Sequence, residues 1–179
     1  PMFKAQEPWA LMGSTASVLQ GLPDYSPPDI DIATTSVGAY IMSGAIGASH
    51  AIVRPVKYSS AGPYTSHFGI FEVGGVKVEV MGDLVIHCAD GEIRLTDHFA
   101  HWSEKVRVLH FDGMHVPVVP LEWQIVANAL LARPERVNGT AKFMLERGFD
   151  RPYLERVLED HCYGERTRLW VREVLHLDA

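Results

Sequence analysis

The stretch Leu11–Thr35, LMGSTASVLQGLPDYSPPDIDIATT, decides how the rest of the chain is read. An apolar run, Trp9–Met12, stops at Gly13-Ser14-Thr15, and a helix-like segment follows from Ala16 to Leu22. A spacer containing Pro23, Pro27 and Pro28 then leads to Asp29-Ile30-Asp31-Ile32. Successive side chains of a strand point to opposite faces, so Asp29 and Asp31 share one face while Ile30 and Ile32 point into a core. Two carboxylates held side by side repel each other unless a cation sits between them, and hard divalent cations such as Mg²⁺ take oxygen ligands. Gly13 lets backbone amides approach a ligand closely, with the hydroxyls of Ser14 and Thr15 and the positive end of a helix beside it. The same hydroxyls are equally suited to cap that helix.

Outward from this stretch, Asp29–Thr35 reads as a strand and Ser36–Ile46 as a helix that stops at Gly47. Pro55 argues against a helix in Arg54-Pro55-Val56-Lys57. His67–Val73 and Val76–Gly82 alternate with period two about Gly74-Gly75, which is a hairpin signal. In the second arm Val76, Val78 and Val80 share one face, and Lys77, Glu79 and Met81 share the other. Glu79 is there either half of an ordinary surface ion pair with Lys77 or the third acid of a site, with Asp83 and Asp90 as substitutes. Leu84–Cys88, Glu92–Leu95, Val106–Phe111 and Val116–Val119 continue as short extended segments. From Pro120 the pattern becomes helical, first over Leu121–Ala132, with breaks at Pro134, Gly148 and Gly164. The expected organisation is an α+β domain over 1–119 and a helical part over 120–179, without internal repeats.

Composition narrows the classes of function. A chain of 179 residues that is 47% hydrophobic can bury one good core, or one domain with a small helical appendage. A formal net charge of -6 argues against a protein that wraps nucleic acid by bulk charge. The two cysteines, Cys88 and Cys162, have no CxxC spacing, which fits reduced cytosol and suggests neither a disulfide framework nor a zinc ribbon. His98 and His101 would share a helix face, but spacing marks no third ligand for zinc. No apolar run approaches the roughly 20 residues that span a bilayer, and no signal-peptide pattern opens the chain. A soluble cytoplasmic protein is expected. Pro1 at the start suggests processing or a trimmed terminus.

These motifs, taken in order, resemble the nucleotidyltransferase-fold enzymes, especially the small bacterial ones of the minimal and abortive-infection toxin type. Gly13 and Ser14 match that family's Gly-Ser pair, Asp29 and Asp31 its Asp-x-Asp strand, and Glu79 the third carboxylate on a later strand. The spacer between Ser14 and Asp29 is long for the family. In the helical part Gln124 and Asn128 stand where the family leads one to look for a lysine, and Asn138-Gly139 where an Arg-Asp pair often follows.

The resemblance implies a mixed β-sheet with flanking helices followed by a helical part. It implies transfer of a nucleoside monophosphate from a nucleoside triphosphate to a hydroxyl, with Mg²⁺ or Mn²⁺ held by Asp29, Asp31 and Glu79. Glu79 would act as a ligand or as the base. Gly13, Ser14 and Thr15 would receive the triphosphate, and Arg54 and Lys57, which follow the dyad's helix, are either charges that neutralise it or solvated loop charges. The acceptor is open among a small molecule such as an aminoglycoside-like antibiotic, the end of a transfer RNA and a side chain of a partner protein. The altered helical residues leave a second reading, a catalytically silent module of the same fold that binds a nucleotide or a protein.

Overall fold

The computed structural model describes residues 7–23, 26–97, 107–159 and 163–177. Its strands are β1 (Trp9–Met12), β2 (Asp29–Thr34), β3 (Ala51–Ala61), β4 (Tyr64–Val73), β5 (Val76–Cys88), β6 (Gly91–Arg94), β7 (Arg107–Phe111) and β8 (Met114–Val118). The helices used below are α1 (Gly13–Leu19), α2 (Ser36–Gly47), α3 (Leu121–Leu130), α4 (Pro134–Arg147), α5 (Arg151–Glu159) and α6 (Glu165–Val174). The fold is α+β, with one mixed sheet of eight strands in the order β3-β4-β5-β2-β1-β8-β7, and β6 pairs with β5 off this path. The chain divides into two compact units, residues 1–86 with 94–119, and residues 87–93 with 120–179.

In the first unit β2 lies between two different neighbours. It runs antiparallel to β1 and parallel to β5. Ile32, Val78, Val80 and Phe71 are buried together with Ala39, Met42 and Ile46 of α2, which gives the sheet one covered face. Burial of this kind is the main favourable term in folding, at roughly 25 cal/mol per Å² of apolar surface. The start of α2 comes very close to β5. A side chain at Gly82 would meet the backbone of Thr35 and Ser36 and the methyl of Ala39, so only glycine fits there. Thr35 caps α2, its hydroxyl oxygen accepting from the amide of Gly38 at 2.9 Å and its hydroxyl donating to Glu7 at 2.6 Å.

The sequence pattern left β3 without an assignment beyond the exclusion of a helix. It is an edge strand of eleven residues, buried only at Val56, so no alternation of apolar residues marks it. Its register against β4 shifts on both sides of Arg54, which accommodates Pro55 at a bulge on a sheet edge. The hairpin at Gly74-Gly75 forms as expected, but both arms run longer, β4 from Tyr64 and β5 through Leu84 to Cys88.

In the second unit α3 is buried around nearly its whole circumference, including Trp123, Ile125, Val126 and Leu130, and packs against α4, α5 and α6. Pro134 opens α4 and Gly148 closes it. Helix α6 is preceded by Gly164 as its cap residue, which offers no capping side chain. Asp90 supplies the cap from elsewhere in the chain, accepting from the amide of Thr167 at 2.7 Å and from its hydroxyl at 2.6 Å. The Thr167 hydroxyl in particular holds the Asp90 carboxyl below its ordinary range. Among the described residues no helix is long and apolar enough to cross a membrane. His98, His101 and Cys162 lie outside the described residues.

Candidate active site

On the face of the sheet opposite the buried isoleucines and valines, the register aligns one row of residues. Met12 of β1 lies beside Asp31 of β2, Asp31 beside Glu79 of β5, Glu79 beside Ile70 of β4, and Ile70 beside Arg54 of β3. Partners across a ladder point to the same side. Asp31 and Glu79 therefore emerge together, and Asp29, two residues before Asp31, emerges with them and pairs with Lys77. Asp29, Asp31 and Glu79 each offer an oxygen, and these oxygens lie within 4.8 Å of one another. Asp83 and Asp90 are outside this group. Neither therefore stands in for Glu79 in it, and Asp90 caps α6 instead.

The Lys77 ammonium stands within this group. It lies 2.7 Å from Asp29 and 2.9 Å from Glu79, and these two hydrogen bonds hold it above the ordinary lysine range. The ion pair with Glu79 and the acidic cluster are thus parts of one arrangement rather than alternatives. What the sequence did not reveal is the bond to Asp29, because it depends on the parallel register of β2 and β5. An oxygen-only set of this kind suits Mg²⁺ or Mn²⁺, and a cation is already drawn between two of its members.

Gly13 is shaped to this site. Its φ of +68° lies in the left-handed region, and a side chain built on it would collide with the Asp31 carboxylate. Helix α1 begins at Gly13 itself, with Met12 as its cap residue and no capping side chain. Ser14 and Thr15 thus lie inside the first turn and do not cap it, contrary to the expectation from their hydroxyls. Ser14 is buried, and Thr15 donates its hydroxyl proton to the Asp29 carbonyl at 2.6 Å, which ties α1 to the start of β2. The Ser17 hydroxyl donates to the Gly13 carbonyl at 3.0 Å.

Arg54 and Lys57 lie on β3, two strands beyond β5. Arg54 holds its guanidinium 5.1 Å from the centre of the Phe68 ring and donates to the Ser59 hydroxyl at 3.2 Å. Lys57 pairs in register with Phe68 and is exposed. In the second unit Gln124 is buried, the Asn128 amide donates to the Gln124 carbonyl at 2.9 Å, and Asn138 and Gly139 lie within α4.

The sequence over residues 2–134 matches the family described as aminoglycoside-2''-adenylyltransferase. Among solved structures it is similar to a protein of Thermotoga maritima provisionally described as a nucleotidyltransferase. The identity is 32% and the TM-score 0.62, over 80% of this chain and 86% of that one. A structure of ANT(2'')-Ia in complex with adenylyl-2''-tobramycin is 10% identical over 93% of this chain and 88% of that one, with a TM-score of 0.46. An antigenic nucleotidyltransferase-like protein of Paracoccidioides brasiliensis is 13% identical over 95% and 84%, with a TM-score of 0.45. Comparison with curated proteins gives no match.

Proposed function

Because the chain belongs to the aminoglycoside-2''-adenylyltransferase family, a group of nucleotidyltransferase fold, we propose that it transfers a nucleoside monophosphate from a nucleoside triphosphate to a hydroxyl. The observation that carries this reading is the convergence of Asp29, Asp31 and Glu79, one oxygen each within 4.8 Å, beside the backbone at Gly13. In the reaction the acceptor oxygen forms a bond to the α-phosphorus, the bond to the bridging oxygen breaks, and pyrophosphate leaves with the electron pair. Bound at this oxygen set, Mg²⁺ or Mn²⁺ supplies charge stabilisation at the reacting phosphate and the leaving pyrophosphate.

The chain's own residues do the rest. Asp29 and Asp31 would hold the cation from β2, where their two-residue spacing puts both on one strand face. Glu79 serves as the third ligand or takes the proton of the attacking hydroxyl. Glu79→Gln separates these roles: lost Mn²⁺ affinity marks a ligand, and retained affinity with lost transfer marks a base. Gly13 gives the triphosphate close approach to the backbone beside Ser14 and Thr15, and Arg54 and Lys57 neutralise its far end from the β3 side of the same face. The acceptor is a cationic, hydroxyl-bearing small molecule of aminoglycoside type. The acidic net charge of -6 and the description of the family favour it over a transfer RNA end or a partner protein.

Calorimetry with each nucleoside triphosphate, with and without Mg²⁺, tests the reading. It is followed by transfer of label from the α-phosphate of ATP to an aminoglycoside, to transfer RNA or to protein. Metal-dependent triphosphate binding with label on the aminoglycoside is the expected result. Binding of neither metal nor nucleotide would overturn the enzymatic reading and leave the silent module.

A further inference from the structure

The side chain that most constrains the proposed metal set is not one of its ligands. Lys77 neighbours Asp29 across the β2–β5 ladder and Glu79 along its own strand, and its ammonium is within hydrogen-bonding distance of both carboxylates. Two of the three carboxylates that a divalent cation would take are therefore already bonded to a monovalent one. An ammonium and a divalent ion at the same carboxylates compete, because like charges a few ångströms apart repel strongly where solvent screening is incomplete. The carboxylates are largely covered, at 16% and 20% side-chain exposure, whereas Lys77 is 45% exposed. Its ammonium therefore has a route into solvent on a flexible four-carbon stem.

We infer that Lys77 is a built-in counter-cation: it holds the acid group together while no metal is bound, and it must be displaced for a divalent cation to bind. This rests on the metal reading above and adds to it a residue that opposes the metal. Its effect on affinity has the opposite sign to that of the ligands. Removing Asp29, Asp31 or Glu79 weakens metal binding, whereas removing the Lys77 charge strengthens it. The size follows from two partly exposed ion pairs, which together amount to about tenfold in an equilibrium constant.

Titration of the full chain with Mn²⁺, without nucleotide, tests this by calorimetry or by the electron spin resonance of free Mn²⁺. Lys77→Met is expected to bind Mn²⁺ about tenfold more tightly than the wild type. Without metal its melting midpoint should fall, and Mn²⁺ should raise that midpoint more than it raises the wild type's. Lys77→Arg keeps the charge and is expected to stay near wild-type affinity. Asp31→Asn marks the site by losing the binding in either background. Two results would overturn the role of Lys77 while leaving the metal reading intact: Mn²⁺ affinity unchanged or weakened in Lys77→Met, or equal tightening in Lys77→Arg. Absence of Asp31-dependent Mn²⁺ binding in both wild type and Lys77→Met would overturn the metal reading and this inference with it.

Discussion

Replacing Gly13 by alanine tests the link between backbone shape and the acid group more sharply than replacing any acid. At a φ of +68° a non-glycine residue is disfavoured by about 1–2 kcal/mol. Alanine also lowers the conformational freedom of the unfolded chain, which offsets about 0.4–1 kcal/mol of that penalty. The new methyl would strike the Asp31 carboxylate. A carboxylate can turn about its side-chain bonds, so this clash displaces Asp31 from Asp29 and Glu79 instead of unfolding the sheet. The net expectation is a loss of about 1 kcal/mol, or a fall of roughly 2–4 °C in melting midpoint for a chain of this size. Weaker Mn²⁺ binding should accompany it. Gly44 supplies the control, because it lies in α2 with open space where its side chain would go. Gly44→Ala should raise stability by about 1 kcal/mol with metal binding unchanged. Circular-dichroism melts and Mn²⁺ titrations of the three proteins decide the matter. A Gly13→Ala protein that melts at or above the wild type and binds Mn²⁺ equally well would refute the reasoning.

Other perturbations probe single links. Asp31→Asn should lower nucleotidyl transfer by about 100-fold or more while the far-ultraviolet spectrum stays unchanged, and a turnover rate near wild type would remove Asp31 from the chemistry. Thr35→Ala should cost about 1 kcal/mol in urea unfolding by uncapping α2, with Thr35→Ser restoring most of it. Asp90→Ala should destabilise the protein by roughly 2 kcal/mol at neutral pH, since two hydrogen bonds to a charged acceptor are lost. Because the folded protein holds the Asp90 carboxyl below its ordinary value of 3.8, that stability is fully present above pH 3.8 and is lost as the pH falls through the folded value. Acid melts of wild type and variant should therefore converge below that point; a constant gap down to low pH would show that the charge plays no part.

Much of the site's face was legible because strand alternation is a local property. Asp29 and Asp31 in DIDI, and Lys77 and Glu79 in VKVEV, could be sorted from the isoleucines and valines by counting in twos. What brings them together is not local. The pairing of Asp31 with Glu79 and of Asp29 with Lys77 is a parallel register between distant segments, and neither segment carries a mark of it. The β3 strand escaped notice for another reason: Pro55 breaks its ladder and only Val56 is buried, so its residues carry no period-two pattern. The start of α1 also ran against local preference. Glycine is an unfavourable first helical residue unless a neighbour needs the space, and that neighbour, the Asp31 carboxylate, comes from the next strand. Asp90 was legible as an acid in a turn, but not as the cap of a helix far along the chain.

The parallel pairing of β2 with β5 also sets when the site can exist. Parallel neighbours cannot be joined by a tight turn, and here the chain passes through α2, β3 and β4 before β5 comes to lie beside β2. Closing that excursion carries the loop entropy of a long-range contact, which places it among the slow steps of folding. A growing chain that has reached the end of β4 holds both aspartates but neither Glu79 nor Lys77. Such a chain has two of the three carboxylates and not the Lys77 ammonium, so two like charges repel on a strand whose parallel partner is missing. The acid group proposed to hold a metal is thus complete only once β5 pairs with β2, together with the neutralising lysine, and on that proposal Mn²⁺ uptake during refolding would time the closure of the central sheet.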